Sequence, residues 1–275
     1  MSASHAPDLA GRTAVVTGAT SGIGRAIAGA LAARGVHVAV SGRDPATLEE
    51  VAKEVASLGG GATPLVADAR EVAATGALAE KAAEATGRLD VYVANAGLSH
   101  PGTLADGDPE AWREMLEVNV LGLLAGVQGA VRTMRRLDTP GHVVLISSIA
   151  GRNETAGVYG ATKAAVNLLA STLRKELEDD PIRVVNVLPG AVMTNFARHF
   201  DPAVIQGLTK AMGVEVDFRP GEKLPDEAIE QIQARAKPFL AHPDDIARAV
   251  VYAVSQPPEL DVFQIEVRPA KGLPL

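Results

Sequence analysis

The sequence predicts a single α/β domain, a doubly wound parallel sheet of seven strands with helices on both faces. Short runs rich in valine and isoleucine alternate with longer alanine-rich amphipathic stretches, the order expected of parallel strands joined by crossover helices. Most strand candidates are apolar throughout, as expected when helices cover both faces of the sheet. A chain of 275 residues can bury one large core, so we assign residues 1–275 to one domain. The strand candidates are residues 12–17, 36–41, 63–67, 89–94, 142–147, 183–188 and 262–267.

Helix boundaries agree with this pattern. Asp44 and Asp108 each precede a proline. This pattern predicts that each aspartate caps the start of a helix and that the proline is its first residue, where an N–H would have no partner within the helix. Gly35 follows the first amphipathic stretch, where a glycine is expected after a helix end. Pro181 follows two aspartates and ends another helix.

Composition excludes several classes of function. The 47% apolar and 21% charged residues predict a folded chain, and a net charge of -7 argues against a nucleic-acid partner. The chain has no cysteine, which excludes disulfides, thiolate metal sites and a cysteine nucleophile; we predict no metal site. Neither a leader-like amino terminus nor a run of about 18 uncharged apolar residues is found, so we predict a cytoplasmic protein with no membrane partner.

Residues 195–240 interrupt the alternation of strands and helices with scattered apolar and charged residues. We interpret this segment as a helical insert. Because ligands bind outside the carboxyl ends of the strands in such sheets, an insert after the sixth strand can form a lid over the substrate. Its large apolar side chains are expected to pack against another surface, which favours the interpretation as a lid. The alternative is that the segment is a solvent-exposed surface loop. The large apolar side chains are Phe196, Phe200, Leu208, Met212 and Phe218.

A glycine-rich loop joins the first strand to the first helix. Glycines let the backbone turn tightly and approach a pyrophosphate, while the free N–H groups and the helix dipole stabilise its charge. The spacing is Gly-x-x-x-Gly-x-Gly, which differs from the Gly-x-Gly-x-x-Gly dinucleotide fingerprint. Its place on the first crossover of the sheet nevertheless predicts nucleotide binding. The residues expected to contact the nucleotide are Gly18, Thr20, Ser21, Gly22, Ile23 and Gly24.

Tyr159 and Lys163 lie four residues apart and share one face of a predicted helix. A phenol has a pKa near ~10, and a nearby ammonium lowers it, so Tyr159 can exchange protons. Such a spacing also arises by chance. Upstream, Ser147 and Ser148 end a strand at the edge where this fold places its ligands, and Ser148 can donate to a carbonyl or merely cap the next element.

Six motifs in this order resemble the short-chain dehydrogenase/reductases. They are TGATSGIG at the glycine loop, ANAG at 94–97, Asn119, SSIAG, YGATK and PGAVMT at 189–194. The resemblance implies a Rossmann-like fold and NAD(P)-dependent chemistry. It implies that Tyr159 is the general acid or base, that Lys163 lowers its pKa and binds the nicotinamide ribose, and that Ser148 orients the substrate oxygen. Asn119 would complete the tetrad by holding a water that links the lysine to solvent.

The same resemblance assigns further cofactor contacts. Asn95 would brace the central strands, and Gly97 would let the backbone lie close to the cofactor. Asp68 would lie near the adenine, with the backbone of Ala69 beside it. The remaining contacts implied are Ala96 and, around the nicotinamide, Pro189, Gly190, Val192 and Thr194.

One spacing departs from the family pattern. Ser148 lies eleven residues before Tyr159, which is two residues fewer than is usual in the family. The shorter loop is expected to reshape the substrate pocket, and it makes Ser147 an alternative to Ser148. A strand end and a helix hold the two side chains independently, so catalysis does not depend on the loop length.

The choice of cofactor is expected to depend on residues after the second strand. An acidic side chain there accepts hydrogen bonds from a ribose 2′-hydroxyl but repels a 2′-phosphate. The sequence has Gly42 at that position, preceded by Ser41, a possible hydroxyl donor, and followed by Arg43, which can bond a phosphate. This pattern predicts NADP(H). The alternative is that Arg43 is a solvated charge and that NAD or both cofactors are used.

The expected partner is a small-molecule carbonyl or alcohol, interconverted as a ketone or aldehyde and its alcohol, and run as a reduction if NADPH is the cofactor. The ending EVRPAKG resembles a branch containing 3-hydroxy acid dehydrogenases, serine dehydrogenases and clavulanate-type aldehyde reductases. Arg198, His199 and Arg219 could meet an acidic substrate, whereas the insert phenylalanines favour an apolar one. Both possibilities stay open.

Two other functions are possible for such a sequence. A catalytically silent NADP-binding regulatory protein would tend to lack the tyrosine or the lysine. An epimerase or dehydratase of the extended relatives would show a Gly-x-x-Gly-x-x-Gly loop and a longer carboxyl-terminal domain, which this sequence does not have. We also expect a homo-oligomer, a dimer or tetramer, joined through the last helix and last strand.

Overall fold

The structure, a computed structural model, describes residues 9–194, 239–257 and 259–271, together with residues 196, 206, 210, 229, 231, 232 and 234. Most of the predicted insert at 195–240 lies outside the described residues, and the lid stays a prediction. So does the division of the chain into domains and lid.

One parallel sheet of seven strands organises the fold. Its strand order is β3-β2-β1-β4-β5-β6-β7, so the direction of winding reverses between β1 and β4. This confirms the doubly wound, Rossmann-like sheet, and each predicted strand lies within about two residues of an observed one. The strands are β1 Thr13–Thr17, β2 His37–Gly42, β3 Ala62–Val66, β4 Val91–Ala94, β5 Gly141–Ile146, β6 Ile182–Pro189 and β7 Gln264–Val267.

The helices begin where the sequence predicted. The Asp44 carboxylate accepts a hydrogen bond of 2.8 Å from the Thr47 N–H, and the Asp108 carboxylate accepts one of 3.0 Å from the Glu110 N–H. Both caps are therefore confirmed. The described helices are α1 Gly22–Ala32, α2 Pro45–Ala56, α3 Val72–Gly76, α4 Leu78–Thr86, α5 Pro109–Leu116, a π-helix Glu117–Gly122, α6 Leu123–Arg136, a 3-10 turn Ile149–Arg152, α7 Gly157–Glu176 and α8 Pro243–Val254.

Two buried apolar layers lie against the sheet, one on each face. Along β4, Val91 and Val93 point into the layer shared with α1, α2 and α8. Tyr92 and Ala94 point into the layer shared with α4, α6 and α7. Because both faces are covered, functional groups that meet solvent gather where the strands end.

The stretch Pro109–Arg136, made of α5, the π-helix and α6, is long and apolar enough to cross a membrane by length and composition. Half of its most apolar window is buried inside the molecule. Val127, Ala130 and Met134 of α6 belong to the core layer on that face of the sheet. A core helix passes the same test, so this stretch is no argument for a membrane.

A buried imidazole lies at the opposite end of the sheet from the carboxyl edge. His142 is the second residue of β5, with 6% of the residue exposed, and its Nδ1 has no hydrogen-bond partner. Burial lowers the pKa of His142 to about 4, and the positive charges of Arg12 and Arg183 act in the same direction while Asp90 opposes them. The fold therefore holds this imidazole neutral.

We predict that His142 makes the fold sensitive to acid. The unfolded imidazole takes up a proton near pH 6.5, but the folded one does so only near pH 4, so stability is lost as the pH falls through that window. The loss from this one group amounts to at most about 3 kcal/mol. Urea unfolding at about pH 7 and about pH 4.5 should show a smaller loss for His142→Gln than for the natural chain. Equal losses in the two proteins would contradict this prediction.

Candidate active site

One open cleft lies along the carboxyl edge of the sheet. It runs from the glycine loop after β1 to the first turns of α7. The structure brings together in its lining every residue for which the sequence predicted a cofactor contact, and Ser148 as well. These are Gly18, Thr20, Ser21, Gly22, Ile23, Gly24, Ser41, Arg43, Asp68, Ala69, Asn95, Ala96, Gly97, Tyr159, Lys163, Pro189, Gly190, Val192 and Thr194.

The glycine loop is shaped by conformations and contacts that only glycine permits. Gly18 and Gly22 have φ angles of +63° and +54°, in the left-handed region. A Cβ atom on Gly24 would lie 2.3 Å from the Gly18 carbonyl oxygen and 2.5 Å from Nδ2 of Asn95. The Ser21 side chain makes no capping hydrogen bond, so the first N–H groups of α1 face the cleft without a side-chain cap. Such a helix start suits an anion.

The ends of β1 and β4 are tied together beneath this loop. Nδ2 of Asn95 donates to the carbonyl oxygen of Thr17 at 2.8 Å. The Thr17 hydroxyl accepts hydrogen bonds from the backbone N–H groups of Asn95 and Ala96, at 2.9 and 3.0 Å. These bonds fix the point where the winding reverses. The bracing role expected of Asn95 agrees with this geometry. The role of the Thr17 hydroxyl was not predicted, because the glycine spacing gives no sign of contacts with β4.

The last residues of β2 and the residue that follows it form one end of the cleft. A Cβ atom on Gly42 would lie 2.6 Å from Cγ2 of Thr20, so a larger side chain there must displace Thr20. Ser41 is buried, and Arg43 is exposed and lines the cleft. This end therefore presents the Arg43 guanidinium, whereas the carboxylate of the next residue, Asp44, caps α2, and Asp44 does not line the cleft.

Asp68, after β3, forms an ion pair with Arg70, which was not predicted from the sequence. The guanidinium of Arg70 donates to both carboxylate oxygens, and this hydrogen bonding lowers the pKa of Asp68. Arg70 also lies 3.8 Å from the Glu114 carboxylate on α5, which contacts His100 Nε2 at 2.8 Å. These side chains form a chain of polar contacts from the cleft to the loop after β4. Sequence spacing places Arg70 near Asp68 but gives no sign of the link to α5.

The start of α7 places a tyrosine and a lysine at the other end of the cleft. Tyr159 and Lys163 lie one turn apart, with the Lys163 Nζ 5.9 Å from the centroid of the Tyr159 ring. Lys163 is only 4% exposed, and its Nζ donates to the carbonyl oxygen of Ile146 at 2.9 Å. A buried ammonium needs such an acceptor because it has lost its water.

The pKa values differ from the sequence expectation. Burial raises the pKa of Tyr159 to about 12, and the hydrogen bond with the Ser148 side chain opposes this only in part. Burial lowers the pKa of Lys163 to about 8. The expected lowering of the Tyr159 pKa by Lys163 is therefore not seen in the protein alone, because loss of solvation dominates and the ammonium points to the Ile146 carbonyl.

Ser147 and Ser148 have different partners despite the shortened loop. The Ser147 hydroxyl donates to the backbone carbonyl of Lys163 at 3.1 Å. The Ser148 hydroxyl accepts a hydrogen bond from the Ala150 N–H at 3.0 Å and donates a long one, of 3.3 Å, to the Pro189 carbonyl. Its side chain also forms a hydrogen bond with Tyr159. Ser148 is thus the serine beside the tyrosine, and Ser147 fastens the helix to the strand.

Asn119 supports the cleft from behind and does not line it. It is fully buried in the π-helix, where its carboxamide accepts from the Leu98 N–H and donates to the Leu98 carbonyl, both at 2.9 Å. Its Nδ2 also lies 3.1 Å from the hydroxyl of Thr162 on α7. The wider π turn lets one side chain join the loop after β4 to α7. Sequence periodicity gave no sign of this π-helix.

An aromatic ring from the edge of the predicted insert also reaches the site. Phe196 lies with its ring centroid 5.4 Å from that of Tyr159, the two planes inclined by 58°. Its backbone N–H donates to the Thr194 hydroxyl at 3.2 Å. The sequence predicted an apolar cover here but not its contact with the tyrosine. Of the predicted lid side chains, Phe200, Leu208, Met212 and Phe218 lie outside the described residues, as do Arg198, His199 and Arg219.

Known proteins share this fold over nearly its whole length. The family model for short chain dehydrogenases matches residues 12–204. An uncharacterized oxidoreductase of Staphylococcus saprophyticus is 33% identical, over 95% of this chain and 99% of its own. The structure of an alcohol dehydrogenase from the archaeon Thermococcus sibiricus, complexed with 5-hydroxy-NADP, is 28% identical with a TM-score of 0.75, covering 94% of this chain and 97% of that one. A short chain dehydrogenase/reductase from Burkholderia phymatum, in complex with NAD, is 26% identical with a TM-score of 0.75, covering 94% and 90%.

We predict that Gly24→Ala disrupts the glycine loop. The added methyl group would meet backbone and the Asn95 amide, so we expect a loss of about 1–3 kcal/mol in the free energy of unfolding. The matched control is Gly29→Ala, further along α1, where a Cβ atom would meet only the flexible Leu58 side chain at 3.3 Å. That variant should be neutral or gain up to about 1 kcal/mol in helix propensity. Urea unfolding that shows equal stabilities for the two variants would contradict the prediction.

Proposed function

The chain belongs to the short-chain dehydrogenase/reductase family, and on that premise we propose that it is an NADP(H)-dependent enzyme that interconverts a ketone or aldehyde and its alcohol. Membership makes it an NAD(P)-dependent oxidoreductase. The observation that carries the finer proposal is the continuous cleft that runs from the glycine loop to the hydroxyl groups of Tyr159 and Ser148. A dinucleotide laid along it would start at the helix end that suits a pyrophosphate and end beside a proton donor.

The lining residues fit such a cofactor from end to end. The N–H groups at the start of α1 would hold the pyrophosphate. Asp68 and Ala69 would contact the adenine, and Lys163 the nicotinamide ribose. The nicotinamide ring, when bound, supplies or accepts the hydride. The segment from Pro189 to Thr194 would flank that ring.

Tyr159 supplies the proton. In a reduction, its hydroxyl donates a proton to the carbonyl oxygen as the hydride reaches the carbonyl carbon, and Ser148 donates a hydrogen bond to the same oxygen. The raised pKa of Tyr159, about 12, keeps the phenol protonated at neutral pH, which suits an acid. A protonated Lys163 close by favours the phenolate that remains. Asn119 positions Leu98 and α7, and a water held there would return the proton to Tyr159.

The preference for NADP(H) is supported by the end of the cleft after β2. Thr20 occupies the space that an acidic side chain at position 42 would need, so a carboxylate that selects a 2′-hydroxyl is not accommodated without a shift. Arg43 can form charge-assisted hydrogen bonds with a 2′-phosphate. Both features favour the phosphorylated cofactor.

We predict that Tyr159→Phe abolishes turnover and spares cofactor binding. A panel of carbonyls and alcohols, followed at the nicotinamide absorbance with both cofactors, should show a loss of about 100-fold or more in kcat. The dissociation constant for NADPH, measured by fluorescence, should stay within about twofold because the phenyl ring keeps the packing. Tyr252→Phe, at a tyrosine on α8 that is 57% exposed, is the matched control and should retain activity.

An equally active Tyr159→Phe protein would contradict the mechanism. If no member of a broad panel is turned over while NADPH binds tightly, the result would favour a catalytically silent NADP-binding regulatory protein. The binding measurement does not depend on turnover, so it distinguishes a silent cofactor-binding protein from one that does not bind the cofactor.

We predict that Arg43→Ala weakens NADPH binding at least about tenfold and leaves NADH binding nearly unchanged, because only NADPH carries the 2′-phosphate. Arg113→Ala, which removes an exposed guanidinium on α5 outside the cleft, is the matched control for net charge. Dissociation constants for both cofactors test this directly. An equal loss of affinity for the two cofactors in Arg43→Ala would refute the role of Arg43.

A further inference from the structure

Phe196 is fixed at the reacting end of the cleft by the segment that follows β6. Val192 pairs with Ala241 in a short parallel bridge, which joins this segment to the chain just before α8. The Thr194 side chain lies against Gly22, where a Cβ atom would be 3.0 Å from the Thr194 methyl group, and its hydroxyl accepts the Phe196 N–H. The segment from Val192 to Thr194, which leads into Phe196, is therefore held by a backbone bridge to Ala241 and by the contact of Thr194 with Gly22.

The ring forms one wall of the space around the Tyr159 hydroxyl. Phe196, Val192 and Leu98 all line the cleft, and Phe196 packs directly on the Tyr159 ring. A carbonyl whose oxygen meets Tyr159 and Ser148 must place its substituents beside these apolar groups. Aromatic and aliphatic groups gain from such contacts, whereas a carboxylate there loses its hydration.

The polar groups at this end are already engaged by the protein backbone. The Lys163 ammonium donates to Ile146, the Ser147 hydroxyl donates to Lys163, and the Asn119 amide is paired with Leu98. Among the described residues that line the cleft, the cations are Lys163 and Arg43, and Arg43 follows β2 at the far end. The Ser148 hydroxyl donates its proton to the Pro189 carbonyl over a long 3.3 Å, and turning it toward a substrate breaks only this bond. Together with the Tyr159 hydroxyl it suits one substrate oxygen atom.

We propose that the substrate carries an aryl or branched alkyl group on its carbonyl carbon, and that Phe196 selects it. This inference rests on the proposed function, which supplies the carbonyl chemistry. Of the two substrate classes that the sequence left open, the apolar wall of Phe196, Val192 and Leu98 favours the apolar one.

The test compares three ketones with the full-length enzyme and NADPH: acetophenone, acetoacetate and acetone. We expect kcat/KM for acetophenone to exceed that for acetoacetate at least about tenfold. Phe196→Ala should lower kcat/KM for acetophenone about tenfold, mainly through KM, and should change that for acetone by less than about twofold. Phe196→Leu, which keeps an apolar side chain, should recover most of the loss. The dissociation constant for NADPH should be the same in all three proteins, which shows that the variants are folded.

Two results would overturn the inference alone. One is a preference of the natural enzyme for acetoacetate. The other is an equal loss with acetophenone and acetone in Phe196→Ala, since a ring that only supports Tyr159 would affect every substrate. Absence of turnover with every carbonyl, despite tight NADPH binding, would overturn the proposed function and this inference with it.

Discussion

The buried hydrogen bond between the Lys163 ammonium and the Ile146 carbonyl determines how α7 lies against the sheet. Ile146 is the last residue of β5, so the bond joins the end of a central strand to the second turn of the helix. The Ser147 hydroxyl adds a second link by donating to the Lys163 carbonyl. A buried ammonium without an acceptor would cost several kcal/mol, so the helix cannot slide without a large penalty. Tyr159, one turn earlier, is therefore held at the sheet edge.

Burial then governs the chemistry of this pair. It raises the pKa of the phenol and lowers the pKa of the ammonium, so each group is pushed towards its neutral form. A neutral phenol at neutral pH can donate a proton, as the proposed reduction requires. The shortened loop before Tyr159 does not disturb this arrangement, because Ser148 is fixed at the strand end and Tyr159 by the helix.

Local patterns were enough to predict the strands, the aspartate caps and the residues of the cleft, because apolar runs, glycine turns and capping side chains act over a few neighbours. Contacts between distant segments could not be predicted. The π-helix around Asn119, the ion pair of Arg70 with Asp68 and its link to Glu114, and the approach of Phe196 to Tyr159 all depend on tertiary distances. The direction of the Tyr159 pKa shift was missed for the same reason, since burial outweighs the nearby lysine.

The proposed proton transfer from Tyr159 is tested most directly by the pH dependence of a single turnover of carbonyl reduction, at saturating NADPH, in the natural enzyme and in Lys163→Met. Between about pH 6 and about pH 10 the Tyr159 phenol, with a pKa of about 12, stays protonated, whereas the Lys163 ammonium, with a pKa of about 8, loses its charge. The rate in the natural enzyme should therefore fall as the pH rises through about 8, because the phenolate left on Tyr159 loses a stabilising charge. Lys163→Met has no ammonium, so its rate should be lower and should show no such fall. A fall at the same pH in both proteins would contradict the account.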